Sequence, residues 1–155
     1  MNKIASIILK AFRGGNKVLI CGNGGSASQS NHFAGEFLCK FREFRRALPA
    51  ISLTADNATL TAIGNDFGFE NVFSRQVEAL GNKGDVLIAL STSGKSKNVL
   101  KAIEVAQEQE LVVIDFPRKG SNVARIQEYQ LKLMHQICDI VEQAIIKQDN
   151  KGQEY

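Results

Sequence analysis

Apolar positions along the chain follow two rhythms that take turns. Ile4, Ile7, Ile8 and Ala11 fall at helical spacing, and Gly14-Gly15 stops that helix. Lys17-Val18-Leu19-Ile20-Cys21 is a short apolar run ending in Gly22-Asn23-Gly24-Gly25, the pattern of a buried strand entering a glycine turn. Ser26 is the candidate cap of the next helix, which puts Phe33, Phe37, Leu38 and Phe41 on an apolar side. A second strand is predicted at Ala50-Ile51-Ser52-Leu53, then helices over 58–63 and 70–80, with Gly81 as the stop. Residues 85–90 form a third apolar run, which enters Ser91-Thr92-Ser93-Gly94-Lys95-Ser96 and a helix over 97–109. Residues 111–114 are the fourth strand. The last helix covers 123–148, with Ile126, Leu133, Ile137, Val141 and Ile145 on or near one stripe.

Strands alternating with helices predict an α/β fold, a parallel sheet covered by helices on both faces. The 155 residues are the length of one domain, so 1–155 is read as a single unit. With 44% hydrophobic and 23% charged residues, the chain lies outside the disordered range. No apolar run reaches the roughly 18 residues of a membrane span, so no membrane partner is expected. The N-terminus has no small-residue cleavage site, which argues against secretion. A net charge of +3 is too small for a nucleic-acid-coating protein but suits an anionic small molecule. Cys21, Cys39 and Cys138 form no CxxC pair, and a reducing cytoplasm is their simplest home.

Two turns invite a ligand: Gly22-Asn23-Gly24-Gly25-Ser26-Ala27 and Ser91-Thr92-Ser93-Gly94-Lys95-Ser96. Ligands of parallel α/β sheets bind outside the carboxyl ends of strands, and helix N-termini offer free N–H groups to an anion. Either loop alone reads equally well as a plain tight turn. Two together, the second with four hydroxyls, favour an anion site. Ala27 replaces the third glycine of G-x-G-x-x-G, and the serine loop is too short for a P-loop, so the phosphate is not that of a dinucleotide or an NTP.

His32 and Glu36 lie four apart and share a helix face. By themselves they read as a surface pair. On a helix that starts at a phosphate loop they are also natural acid–base groups, or zinc ligands. On the last helix Glu128 and His135 are seven apart and nearly eclipsed, with Gln127 close to the same face. A solvated helix start is the plain reading there; a joint site built from the chain's two histidines is the sharper one. Lys40-Phe41-Arg42-Glu43-Phe44-Arg45-Arg46 reads as a solvated loop with buried rings rather than an RNA contact. Asn65-Asp66 reads as a polar turn that caps a helix or touches sugar hydroxyls.

Together these residues resemble the phosphoheptose isomerases, members of the SIS (sugar isomerase) group of phosphosugar-binding domains. The matching stretches are CGNGGSA (21–27), HFAGE (32–36), LPAISLT (48–54), LTAIGNDFGF (60–69), FSRQVEALG (73–81), GDVLIALSTSGKSKNVLKA (84–102) and ARIQE (124–128), with His135 eight beyond Gln127. The resemblance implies a SIS-type three-layer αβα sandwich, flavodoxin-like, whose terminal helices pack in a homotetramer. It implies conversion of sedoheptulose 7-phosphate to D-glycero-D-manno-heptose 7-phosphate, the first step toward bacterial nucleotide-activated heptose for lipopolysaccharide. Under it, Ser26, Ser91, Thr92, Ser93 and Ser96 hold the phosphate. Asn23, Gly24, Gly25, Asn65, Asp66 and Gln127 contact the sugar or organise the site. Glu36 is the general base and His135 the general acid, and His32, Glu36, Gln127 and His135 are the zinc ligands of those members that bind zinc.

The chain also departs from the pattern. Lys40 stands where arginine is usual, losing a bidentate fork, and Gln130 stands where histidine is common. Phe116-Pro117-Arg118-Lys119 passes almost directly from the fourth strand to the last helix, without the usual glycine-rich turn, helix and strand: either a segment is absent from this sequence, or the deletion is real and the sheet loses its fifth strand. Two competing readings follow from the same resemblance. One is a non-catalytic SIS protein that binds a phosphosugar or associates with the replication initiator, although such relatives lack the acid–base pair found here. The other is a domain of a sugar-phosphate regulator, which lacks support because no DNA-binding segment is visible.

Overall fold

A computed structural model describes residues 2–151. Eleven elements follow one another: α1 (Lys3–Arg13), β1 (Val18–Gly22), α2 (Gly25–Leu38), β2 (Ala50–Ser52), α3 (Asn57–Phe67), a 3-10 turn (Phe69–Asn71), α4 (Ser74–Leu80), β3 (Val86–Leu90), α5 (Lys97–Glu108), β4 (Val112–Asp115) and α6 (Val123–Lys151). The four strands are all parallel in the order β2-β1-β3-β4. β1 and β3 are central and buried at every position, which is why they read as unbroken apolar runs. Successive side chains point to opposite faces of the sheet. Val18, Ile20, Val86 and Ile88 meet α1, α2 and α6 on one face. Leu19, Cys21, Leu87 and Ala89 meet the layer of α4 and α5 on the other. The three-layer sandwich expected from the sequence is therefore present, with four strands.

Several local readings differ from the structure. Leu38, expected on the apolar side of the second helix, is 52% exposed, and Phe41 lies beyond the helix end at Leu38. The second helix is not capped by Ser26: it starts at Gly25, and Gly24 sits at the cap position with φ 54°, a left-handed conformation that favours glycine. Residues 70–80 are not one helix. The 3-10 turn is followed by a break at Val72 and Phe73, both of which bury in the core, and α4 begins at Ser74. Asn65 and Asp66 are not in a turn but in the last turn of α3; the chain reverses at Gly68, φ 88°.

The segment after α2 is fastened by a buried ion pair. The side chains of Arg45 and Glu142 are each 1% exposed, with Arg45 Nε 3.5 Å from Glu142 Oε1. Glu142 accepts hydrogen bonds from the backbone N–H groups of Phe41, Arg42 and Glu43 at 2.8, 2.8 and 2.9 Å. Arg45 donates to the carbonyls of Glu36, Phe37 and Arg46 at 2.6, 2.8 and 2.9 Å, closing the C-terminus of α2. Of the two rings expected to be buried, Phe41 packs partly against the core, whereas Phe44 is 88% exposed with Lys40 Nζ 4.0 Å above its ring, and it is the Arg45 side chain that lies inside. Burial pushes the Glu142 carboxyl up, but the three backbone donors and the Arg45 guanidinium outweigh it and hold it below its ordinary value.

Removing one partner of a buried pair strands the other, so Glu142→Ala is expected to cost about 3–5 kcal/mol in urea unfolding at neutral pH. Because the folded carboxyl titrates below its unfolded value, its contribution is complete above the unfolded pKa and is lost as pH falls through the folded one. The stability gap between wild type and Glu142→Gln should therefore close in acid; a gap that stays constant through that window would refute the assignment.

Candidate functional site

The register of β1 and β3 pairs Cys21 with Ala89 and Gly22 with Leu90, so the two strands end level. The glycine turn and the serine turn therefore leave the sheet side by side. Asn23 and Asn98 lock them together: each side-chain amide donates to the other's carbonyl oxygen, at 2.9 and 2.8 Å. Asn98 is 3% exposed and escaped the sequence reading, because only its pairing across the fold reveals its role.

Helices α2 and α5 start at these turns without a side-chain cap, whereas Asn2 caps α1 and Asp56 caps α3. Uncapped N-termini leave N–H donors and the positive dipole end for an anion. In the serine loop the Ser91 hydroxyl lies 3.4 Å from those of both Ser93 and Ser96 and accepts the Gly94 N–H at 3.0 Å. Ser93 accepts the Lys95 N–H at 3.1 Å. A hydroxyl contact of 3.4 Å is long for a good O–H···O bond, so these protons remain available to a phosphate oxygen. Thr92 is half-buried in the same loop, and Ser26 is buried in the first turn of α2.

A second cluster forms between α2 and α6. His32 Nε2 lies 3.3 Å from Glu36 Oε1 and 3.1 Å from His135 Nε2. One ligand atom from each of the three falls within 4.8 Å of the others. The helix seam makes this possible: Phe33 and Phe37 bury in the same core as Met134, Ile137 and Val141, which turns His32, Glu36 and His135 toward one another at the rim. The Phe41 ring lies over His135 with centroids 5.5 Å apart. Cys138, three residues beyond His135, is buried; burial first and the Glu36 carboxylate second push its thiol well up. Burial likewise pushes Cys21 up to about 12. Neither thiol is a nucleophile at neutral pH.

The structure brings together His32, Glu36 and His135, and separately Asn23 with the serine loop. Glu128 stands apart, in an exposed fork with Arg125 at 2.7 and 2.5 Å. Gln127 packs its amide against Gly25, the first residue of α2, and its backbone carbonyl accepts from Gln29 Nε2 at 2.8 Å. Gln127 lies about 12 Å along α6 from His135. Asn65 donates to Asp66 at 2.7 Å on the exposed end of α3, and Asp66 is not in the group around His32. Along α2, His32 and Glu36 lie roughly 10 and 16 Å beyond Gly25. The arrangement can hold an anion at one end of a ligand and exchange protons, or hold a cation, at the other.

The SIS domain family model matches residues 1–116. Phosphoheptose isomerase 1 of Campylobacter jejuni subsp. jejuni serotype O:2 is 44% identical over 158 residues, covering 92% of this chain and 85% of the relative. The phosphoheptose isomerase of Shewanella loihica is 41% identical over 171 residues, covering 98% of this chain and 87% of the relative. That alignment takes in about 152 residues here, so the relative carries about 19 that have no counterpart in this chain. A solved phosphoheptose isomerase structure from Francisella tularensis superposes with a TM-score of 0.87 at 38% identity, over 90% of this chain and 83% of that one.

Proposed function

We propose a function from one premise: the chain belongs to the SIS domain family, and within it to the phosphoheptose isomerases. It is an isomerase that converts sedoheptulose 7-phosphate to D-glycero-D-manno-heptose 7-phosphate, at the entry to heptose biosynthesis. The observation that carries this reading is the separation of the two clusters. In this substrate the phosphate is on C7 and the reaction is at C1 and C2, at the opposite end. Anion-binding turns at the carboxyl ends of the two central strands and an acid–base pair further off, between α2 and α6, match that division. Phosphate binding then fixes the reacting carbons.

In the forward direction Glu36 takes a proton from C1 of the ketose. The electron pair forms the C1–C2 double bond of an enediol while His135 protonates the C2 oxygen. Loss of the proton on the C1 oxygen and return of a proton to C2 complete the aldose. Atoms and charge balance without an oxidant. A non-catalytic phosphosugar-binding or initiator-associating role is not favoured, because both acid–base groups are present and adjacent.

His32, Glu36 and His135 also suit zinc, as two imidazoles and a carboxylate are ordinary ligands for it. Gln127, the fourth ligand by resemblance, would have to leave Gly25 to join them. A bound zinc ion would supply Lewis-acid polarisation of the sugar oxygens. We further propose a homotetramer, supported by the exposure of Val123 and Leu131 on α6 and by a 520 Å³ groove beside His135. The free thiols of Cys21, Cys39 and Cys138 support a reducing compartment, the cytoplasm in this reading.

Glu36→Gln and His135→Ala are each expected to lower turnover of sedoheptulose 7-phosphate by about 10²–10⁴-fold with folding retained; wild-type rates in either variant would end the assignment. One equivalent of Zn²⁺ should raise the unfolding temperature of the wild type but not of His32→Ala, and equal shifts in both would remove the metal from the proposal. Light scattering should give a native mass four times the 17.0 kDa chain; a monomer would exclude the tetramer.

A further inference from the structure

The short connection from β4 to α6 crosses the serine loop. Phe116 anchors its start: the ring is buried and packs against Phe33, with centroids 6.1 Å apart, and the backbone N–H donates to the Ala89 carbonyl at 3.0 Å. Pro117 follows, with φ restricted by its ring, and its carbonyl accepts from Gln130 Nε2 at 3.2 Å. Arg118 is next. Its Nη1 and Nη2 donate to the two carboxylate oxygens of Asp115 at 2.6 and 2.7 Å. Its guanidinium lies against Gly94. A Cβ on that glycine would sit 3.2, 3.3 and 3.4 Å from Arg118 Cζ, Nη2 and Nε, so the flat face of the group covers the loop. Gly94 itself has φ 67° and donates its N–H to the Ser91 hydroxyl that gathers Ser93 and Ser96.

We propose that Arg118 binds the substrate phosphate together with the serine loop. The inference rests on reading Ser91–Ser96 as the phosphate loop. Two of the five guanidinium donors are spent on Asp115, which leaves Nε–H and the outer Nη hydrogens for an anion. The Asp115–Arg118 pair is half exposed, and such pairs contribute little to stability. Its effect is instead to hold a fork-shaped cation in one orientation beside the convergent hydroxyls. Asp115 is the positioning residue and Arg118 the binding one. Nothing in the serine loop's own sequence supplies a bidentate cation; Lys95 is exposed and offers only a point charge.

The test uses the full-length protein and inorganic phosphate, titrated calorimetrically, alongside KM and kcat for sedoheptulose 7-phosphate. Arg118→Gln should weaken phosphate binding about tenfold and raise KM more than it lowers kcat, with the ligand-free unfolding temperature within about 2 °C of wild type. Arg118→Lys should fall between the two. Equal phosphate affinity in wild type and Arg118→Gln overturns the proposal, as does a wild type that binds no phosphate. A loss of affinity matched by a large fall in unfolding temperature overturns it in favour of a structural role. If wild type binds phosphate through Arg118 but does not turn over the heptose phosphate, the isomerase reading fails and this one stands.

Discussion

Two strands buried on both faces govern this molecule. β1 and β3 have no solvent side, so their register admits no slip: a shift by one residue would send Leu19 and Leu87 to the wrong core and Ile20 and Ile88 with them. The register that packs both cores also makes the strands end at the same level. The glycine turn and the serine turn are neighbours for that reason, and the amide pair of Asn23 and Asn98 forms because they are. The proposed anion-binding end of the site is thus a by-product of core packing.

The proposed proton-exchanging end depends on a different contact, the seam between α2 and α6. Aromatic and aliphatic side chains set the depth of that seam, and the Arg45–Glu142 pair sets where α2 stops. Arg45 takes the carbonyl of Glu36 itself, so the buried pair reaches the backbone of a proposed catalytic residue directly. Position and chemistry meet at one residue, through opposite ends of it.

What could be read from the sequence was local. Apolar runs marked all four strands within a residue or two, most plainly β1 and β3, whose five residues are buried on both faces. Helical spacing put His32 and Glu36 on one face and singled out His135 on the last helix, and the resemblance gave these residues their roles. Contacts far apart along the chain left no such trace. Arg45 and Glu142 are 97 positions apart and look like ordinary surface charges until the fold joins them. Asn98 shows no more than an amide early in a helix. Ser26 was read as a cap because serine commonly is one, but Gly24 takes the position by virtue of a backbone angle that spacing does not report. Asn65-Asp66 reads as a polar turn because Gly64 precedes it, yet a single glycine inside a helix is tolerated, and Gly68 is where α3 ends.

The face of the sheet on which the histidines lie is covered by α1, α2 and α6. Ala5, Ile8 and Phe12 of α1 share one core with Ile137, Val141 and Ile145 of α6. During synthesis the chain emerges from its N-terminus, so α1, α2 and the sheet are made before α6, the last of the covering helices. Until Ile145 clears the ribosome, Val18, Ile20, Val86 and Ile88 are covered on that side by α1 and α2 alone. The opposite face, finished by Leu111, has no such wait. The two halves of the sandwich thus mature at different times, and the interval between them is when a nascent chain of this protein is most open to misassociation.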